Sequence, residues 1–245
     1  MKNEWILILG AGSAIAIATA RRFAREGYNI YLASRNLEEL NIEAGHQKIK
    51  YKINTKALYF DALDYDSHPA FYADLENKPV GVILAFGMLG EQEEAQKNFS
   101  AAKKIIDTNY TGAVSIFEII AGDFEDRKKG FMAGISSVAG DRGRQSNYIY
   151  GSAKAGFSAY LSGLRHRLYK SGVSVLTVKP GFVDTKMTAK LDLPEKLTAK
   201  PEEAAERIYK AIQKNRNTIY IKPVWALIML IIIHLPEFIF KKTKL

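Results

Sequence analysis

The sequence predicts an α/β protein built on one doubly wound parallel sheet. Short apolar runs that stop at Gly, Ser or Asp alternate with longer segments of helical periodicity almost from end to end. The runs are apolar throughout rather than in alternation, as strands covered on both faces are. Parallel neighbours need helical crossovers, and the intervening segments supply them. The 245 residues, 47% of them apolar and 25% charged, suit a globular domain with one sizeable core. No repeat and no Pro/Gly/Ser-rich linker divides the chain. One domain is expected over 1–222, followed by an apolar C-terminal helix with a basic tail over 223–245.

The elements follow in order. Ile6–Leu9 is a buried strand that stops at Gly10. Ser13 to Glu26 is a helix with Arg21, Arg22, Arg25 and Glu26 toward solvent and Gly27 as its stop. "YNIYLAS" is the second strand, and a helix follows with Asn36 as its cap. "KALYFDALD" is a third strand reaching Asp61, and "PVGVILAFG" a fourth ending at Gly87. Residues 100–124 read as one long helix, with Ile106, Tyr110, Val114, Phe117 and Ala121 on its apolar face. "GFMAGISS" is a fifth strand, 146–170 a long helix, "VSVLTVKPG" a sixth strand, 200–215 a helix and "NTIYIKP" a last strand. In such sheets ligands sit beyond the carboxyl ends of the strands. The residues to watch are therefore those where the apolar runs stop.

The first of these is "GAGSAIA", Gly10 to Ala16. A tight strand-to-helix turn aims backbone N–H groups at a pyrophosphate, aided by the positive end of the helix dipole. Gly10 and Gly12 allow the turn and the close approach. Ser13 adds a hydroxyl, and Ala14 and Ala16 are small where closeness alone is required. Ile15 takes the place of the last glycine of a GxGxxG pattern, so the loop alone is also compatible with a core helix that starts on two glycines.

A more specific signal is "ISSVAGDRGRQSNYIYGSAKAGF". Tyr150 and Lys154 lie four apart on one helix face. A phenol ordinarily titrates near ~10, and a neighbouring ammonium stabilises the phenolate. Such a tyrosine can exchange a proton with a substrate oxygen, while a serine at a strand end hydrogen-bonds the same oxygen.

With these residues in place the chain resembles the short-chain dehydrogenase/reductase family from Ile6 to about Ile221, and that resemblance implies a Rossmann-type sheet. The family's serine falls on Ser137 rather than Ser136, its tyrosine and lysine on Tyr150 and Lys154, and its helix asparagine, in "DTNYTG", on Asn109. Its "PGxVxT" turn appears as Pro180 to Thr185, and its acidic residue after the third strand falls on Asp61, followed by Ala62. The resemblance implies four catalytic residues. Tyr150 exchanges the proton, Ser137 orients the carbonyl, Lys154 lowers the tyrosine pKa and binds the nicotinamide ribose, and Asn109 supports a water that relays protons. It implies cofactor contacts from Gly10, Gly12, Ser13, Ile15, Asp61, Ala62, Gly87, Asn109, Tyr150 and Lys154. The turn at Pro180, Gly181 and Val183 meets the carboxamide, with Thr185 beside it. Two departures stand out: the altered glycine loop, and "LAFG", Leu84 to Gly87, in place of "NNAG".

An acidic tip on the second strand would hold the adenosine 2′-hydroxyl of NAD. The tip here is Ser34-Arg35, and arginine suits a 2′-phosphate, so NADP(H) is favoured over NAD(H). A surface arginine capping the turn is the other reading of Arg35. The expected function is reduction of a ketone, or oxidation of the alcohol. The alternatives are a soluble 3-oxoacyl or steroid-type reductase, or a non-catalytic NADP(H)-sensing module. Family members pair through two long helices, here near 98–121 and 146–170, which implies a homodimer or homotetramer.

The C-terminal segment is unbroken and apolar from Val224 to Ile233 and is flanked by Lys241, Lys242 and Lys244. It suits a membrane-surface helix over 224–240, or a helix packed at the substrate entrance or in a dimer; a spanning helix needs about 20 apolar residues. A membrane-surface helix would make a lipid or lipid-linked keto-sugar a reasonable substrate. "GDRGRQSNYIYGSAKAG" also resembles the bacterial subgroup containing decaprenylphosphoryl-keto-ribose reductases, in which Arg142 and Arg144 would face an anionic head group. A solvated loop is the plainer reading of those two arginines.

Composition closes off other classes. There is no cysteine, which excludes disulfides and thiolate chemistry. His46, His68, His166 and His234 show no ligand spacing, so no metal is expected. The net charge of +9 is unaccompanied by a nucleic-acid motif, so no nucleic-acid partner is expected. The first apolar run is too short for a secretory signal, and a cytoplasmic protein, at the inner face of the membrane if the last helix binds there, is the expectation.

Overall fold

The computed structural model describes residues 2–185 and 194–243. Its strands are β1 (Trp5–Leu9), β2 (Asn29–Ser34), β3 (Thr55–Tyr59), β4 (Gly81–Leu84), β5 (Phe131–Ile135), β6 (Ser174–Lys179), β7 (Phe182–Val183), β8 (Thr198–Ala199) and β9 (Thr218–Tyr220). Its helices are α1 (Ala14–Arg25), α2 (Leu37–Tyr51), α3 (His68–Ala73), α4 (Gln92–Ala95), α5 (Phe99–Ile106), α6 (Gly112–Arg127), α7 (Tyr148–Leu168), α8 (Pro201–Gln213), α9 (Val224–His234) and α10 (Glu237–Phe240). Seven strands form one parallel sheet in the order β3-β2-β1-β4-β5-β6-β9, the Rossmann-type doubly wound arrangement.

Period-two alternation along each strand splits the core between the two faces. Ile6 and Ile8 of β1 join Phe23, Leu40 and Ile208 under α1, α2 and α8. Leu7 and Leu9 join Phe117, Phe124, Phe157 and Leu161 under α6 and α7. Each such side chain contributes about 1.5–3 kcal/mol on burial. The order of the sheet reverses between β1 and β4, which opens a crevice beyond their carboxyl ends.

Three expectations are corrected. The helix read over 100–124 is two helices, α5 and α6, joined by a π-helical turn at Asp107–Thr111. The extra residue in that turn shifts the helix phase. Tyr110 is therefore exposed, Ile106 and Val114 are half-buried, and the buried stripe of α6 runs through Ala113, Ile116, Phe117, Ile120 and Phe124. Strands β3 and β4 stop at Tyr59 and Leu84, two and three residues before the expected Asp61 and Gly87, so both residues lie in the loops that follow. The C-terminal helix breaks at Leu235-Pro236, because proline cannot continue it, and restarts as the short α10.

A third, smaller core lies beneath α9. Trp225, Met229 and Ile232 pack there with Val138, Phe182, Leu197, Tyr220 and Phe240. The C-terminal helix therefore seats directly over the carboxyl end of the sheet.

Candidate active site

Gly10 sits at φ +81°, and a Cβ there would lie 2.4 Å from the backbone nitrogen of Phe86, so only glycine fits the turn out of β1. The N–H groups of Gly10 and Ala11 both donate to the carbonyl of Ala33, which draws the turn onto the end of β2. Ser13 caps α1, its Oγ accepting from Ala16 N at 3.2 Å, and keeps its own O–H to give away. Ala14 and Ile15 occupy the first two helical positions, where N–H groups have no acceptor within the helix. A Cβ on Gly12 would meet only Ser34 Oγ, at 3.8 Å, so the loop is open on that side. Ala16 is fully buried, which accounts for its size. Arg35 is exposed at the tip of β2, next to this opening.

In the loop after β3, Asp61 is half-buried and its Oδ1 accepts from Leu63 N at 3.0 Å, so the carboxylate shapes its own turn. Ala62 is buried against α6, its carbonyl 2.1 Å from where a Cβ on Gly112 would stand. Phe86, in the departing "LAFG", joins an aromatic group with Phe60 at 5.8 Å between ring centroids.

The π-helical turn sets Asn109 at the centre of the site. Its Nδ2 donates to Met88 O at 2.6 Å and to Ile105 O at 2.8 Å, and its Oδ1 accepts from Met88 N at 3.2 Å. Both amide hydrogens are thus engaged in holding the loop after β4 to the end of α5. Gly87 lies between Asn109 and Lys154; a Cβ there would fall 2.8 Å from Asn109 Oδ1 and 3.3 Å from Lys154 Nζ.

The two serines after β5 do different things. Ser136 is buried, its Oγ donating to Lys154 O at 3.0 Å and sharing a hydrogen bond with Ser158 Oγ at 2.7 Å. Ser137 is half-buried, accepts from Ala139 N at 3.1 Å, and forms a side-chain hydrogen bond with Tyr150. Tyr150 packs on Ala102 and Ile105 of α5. Lys154 is 3% exposed, and its Nζ donates to Ile135 O at 3.0 Å, 5.8 Å from the centre of the Tyr150 ring. Ser137, Tyr150, Lys154 and Asn109 are therefore brought together.

Burial dominates the titration of the pair. It pushes the Tyr150 phenol up to about 12 against a lowering by the Ser137 hydrogen bond. It also pushes the Lys154 ammonium down to about 8. The Ser137 hydrogen bond, not the lysine, is what opposes desolvation of the phenol. At neutral pH Tyr150 carries its proton and Lys154 is charged.

The turn after β6 closes the site. Val138 N donates to Pro180 O at 3.0 Å. Gly181 lies under the Trp225 ring, where a Cβ would stand 2.0 Å from a ring carbon. Val183 is buried in β7 beside Ala199, and Thr185 is half-buried.

Arg142 and Arg144 differ from expectation. Neither is a solvated loop residue: both side chains are engaged by the C-terminal helix. Its guanidinium caps α9, donating to Ile232 O at 2.5 Å, Leu235 O at 2.6 Å and Ile233 O at 3.3 Å. It also pairs with Glu237 at 2.8 Å and covers the Phe240 ring at 3.7 Å. A cation at a helix C-terminus satisfies carbonyls that lack partners. Arg144 reaches Met229 Sδ at 3.1 Å, and burial lowers its pKa. Next to them the shielded carboxylate of Asp141 pairs with Lys179 and accepts from Tyr220 OH at 2.8 Å; burial, with this hydrogen bond beside it, pushes the Tyr220 phenol up. Nothing local in the sequence marks these contacts, since their partners lie 38 to 95 residues away. Among the described residues no cluster of His, Asp or Glu could hold a metal ion.

A family model for short chain dehydrogenase matches residues 4–196. An uncharacterized oxidoreductase of Mycobacterium tuberculosis is 35% identical over 242 residues, covering 97% of this chain and 96% of that protein. A serine 3-dehydrogenase of Agrobacterium fabrum is 29% identical, covering 88% of this chain and 86% of its own. Among solved structures, a short-chain dehydrogenase from Sphingobium yanoikuyae in complex with NADPH superposes with a TM-score of 0.81 at 22% identity, covering 89% of this chain and 87% of that one. That last likeness is one of fold.

Proposed function

Since this chain belongs to the short-chain dehydrogenase/reductase family, we propose that it reduces a ketone with NADP(H), Tyr150 delivering the proton. The observation that carries the proposal is the convergence of Ser137, Tyr150, Lys154 and Asn109 at the carboxyl ends of β4 and β5. The residues present fit a nicotinamide dinucleotide. The acceptor-free N–H groups of Ala14 and Ile15, the O–H of Ser13 and the open side of Gly12 suit a pyrophosphate. Asp61 and Ala62 would border the adenine, Arg35 the 2′-phosphate, Gly87, Asn109 and Lys154 the nicotinamide ribose, and Pro180, Gly181, Val183 and Thr185 the carboxamide. When bound, the reduced dinucleotide supplies the hydride for the carbonyl carbon.

The chain's own part is proton handling and orientation. The Ser137 hydroxyl positions the carbonyl oxygen. Tyr150, held protonated by burial, gives that oxygen its proton as negative charge develops. The charged Lys154 stabilises the phenolate left behind. Asn109 acts by position, because its amide is committed to Met88 and Ile105.

The substrate we propose is a ketone on a lipid or other apolar carrier, the keto-sugar of a polyprenyl phosphate being one member of that class. What supports it is the apolar α9 standing beside Val138. With Arg142 and Arg144 engaged by α9, the apolar part of the ligand carries this reading rather than an anionic head group. We also propose a homodimer or homotetramer that pairs through the helices at 98–121 and 146–170, where Phe99 and Tyr148 are exposed apolar side chains. Light scattering that gives a monomer removes that part.

The test of the reaction is NADPH oxidation with a panel of ketones. Tyr150→Phe should lower turnover by about 10³-fold with cofactor affinity unchanged; equal turnover by the two proteins sinks the mechanism. Arg35→Ala should weaken NADPH at least about ten-fold more than NADH. Equal losses would retire the 2′-phosphate assignment.

A further inference from the structure

The structure points to a docking surface that the reduction chemistry does not use: we propose that the outward face of α9 and α10 lies on an anionic lipid surface. α9 is apolar all round, and no charged residue occurs from Val224 to Ile233. Only one stripe of it, Trp225, Met229 and Ile232, is buried. On the other side Leu227, Leu230 and Ile231 are 60%, 56% and 58% exposed, and Ile233 is 43% exposed. Phe238 and Ile239 of α10 continue the patch at 64% and 42%. Exposed apolar side chains are ordinary singly, but contiguous ones mark an interaction site.

Charge selects the partner. Exposed Lys241 and Lys242 follow α10, and Lys222, whose Nζ bonds Lys196 O at 3.1 Å, precedes α9, so ammonium groups flank the apolar face at both ends. Of the acidic groups at these ends, Glu237 is held by Arg142, and Glu195 stands beside Lys196. An apolar strip between basic ends matches the interior and head-group layer of an anionic bilayer. A second copy of the chain would bring like-charged ends together on molecules that each carry +9. With 11 residues α9 is about 16 Å long, against about 30 Å for a hydrocarbon core, and no described helix is long and apolar enough to cross a membrane. The helix therefore lies in the plane of the interface.

The face is also prebuilt. Arg142 caps α9 from the loop after β5, and Trp225 Nε1 donates to Leu197 O at 3.0 Å, so docking orders nothing new. Val138, next to Ser137, packs on the inner stripe of α9. The lipid surface would then stand about one helix diameter, ~10 Å, from the catalytic serine. The surface is independent of the substrate reading, because it is tested without turnover.

The test is flotation of the full chain with vesicles of phosphatidylcholine alone or enriched in phosphatidylglycerol. The chain should float with the anionic vesicles, and several-fold less with phosphatidylcholine or when salt is raised from ~0.1 to ~0.5 M. Leu227→Gln/Leu230→Gln should lower partitioning by about ten-fold, and Lys241→Glu/Lys242→Glu by several-fold, with circular dichroism and cofactor binding unchanged. Failure of the native chain to float, or flotation of both variants at the native level, overturns the proposal. So does a dimer in light scattering that Leu227→Gln/Leu230→Gln dissolves while vesicle binding is absent; the face then belongs to a second copy.

Discussion

The corner proposed for catalysis and the C-terminal cap meet at Val138, yet they are held together by different means. In the corner the central contacts are short in sequence, although Asn109 reaches back to Met88 and Tyr150 packs on α5. Lys154 reaches back to Ile135, Ser136 to Lys154, and Tyr150 to Ser137, all within one strand-loop-helix unit. In the cap the contacts are long: Arg142 to Ile232 and Leu235, and Trp225 to Leu197 and Gly181. The corner also holds a buried ammonium with no carboxylate partner among the described residues, whereas the cap is mainly apolar packing around the partly desolvated Arg144. The corner thus carries a desolvated cation at its centre, and the cap is held mainly by apolar packing.

Replacing the buried cation is the strongest way to break that contrast. Lys154→Met keeps the shape and removes the charge. Turnover should fall more than about 100-fold. Thermal stability should nonetheless rise by about 1–3 kcal/mol, since the desolvation cost disappears. The pH dependence gives the sign independently. Folding lowers the Lys154 pKa from 10.5 to about 8, so the unfolded chain binds that proton more tightly. Native stability should therefore gain between about pH 8 and pH 10.5 relative to Lys154→Met, while reduction fades as pH climbs through about 8. Melting curves and rate profiles of both proteins check this. A destabilised methionine variant would show that the ammonium is a structural asset.

The cap is tested next by Gly181→Ala. The added methyl would stand 2.0 Å from the Trp225 ring, so either the turn or the helix must move. A loss of about 2–3 kcal/mol is expected from this overpacking. Tryptophan fluorescence should shift as Trp225 leaves its buried place. An unshifted spectrum with native stability would mean that α9 is not seated on the turn.

The same contrast decides what could be read from the sequence. The sheet was legible because its strands are apolar runs ending at Gly10, Ser34, Ser137 and Pro180. The corner was legible because its four residues sit on two short motifs. Choosing Ser137 over Ser136 rested on spacing alone, and the structure supplies the cause: Ser136 is taken up by Lys154 O and Ser158. The break between α5 and α6 was not legible, because the π-helical turn uses neither Pro nor Gly. It is held by the Asn109 side chain, which a helical pattern passes over. The cap was half legible: apolarity announced a helix, but its outer and inner faces depend on partners across the fold. The solvated-loop reading of Arg142 failed for the same reason, since a basic loop residue before Tyr150 gives no hint of a helix end 90 residues later.

Arg142 therefore offers the finest discrimination between the two regions, and the smallest effect. Arg142→Met removes the cap on α9 and the pair with Glu237 while keeping much of the packing over Phe240. The helix end is partly open to water, which can replace some of the lost donors, so the cost should be about 1–2 kcal/mol. It should appear first as local opening. Limited proteolysis should cut near Leu235–Glu237 before the body of the domain, because fraying of α9 and α10 leaves the sheet intact. KM for a small soluble ketone should stay near the native value. If Arg142 instead met a head group of the substrate, the pattern would reverse, with KM for the anionic ligand rising and proteolysis unchanged. The two readouts separate a residue that holds the cap from one that holds a ligand.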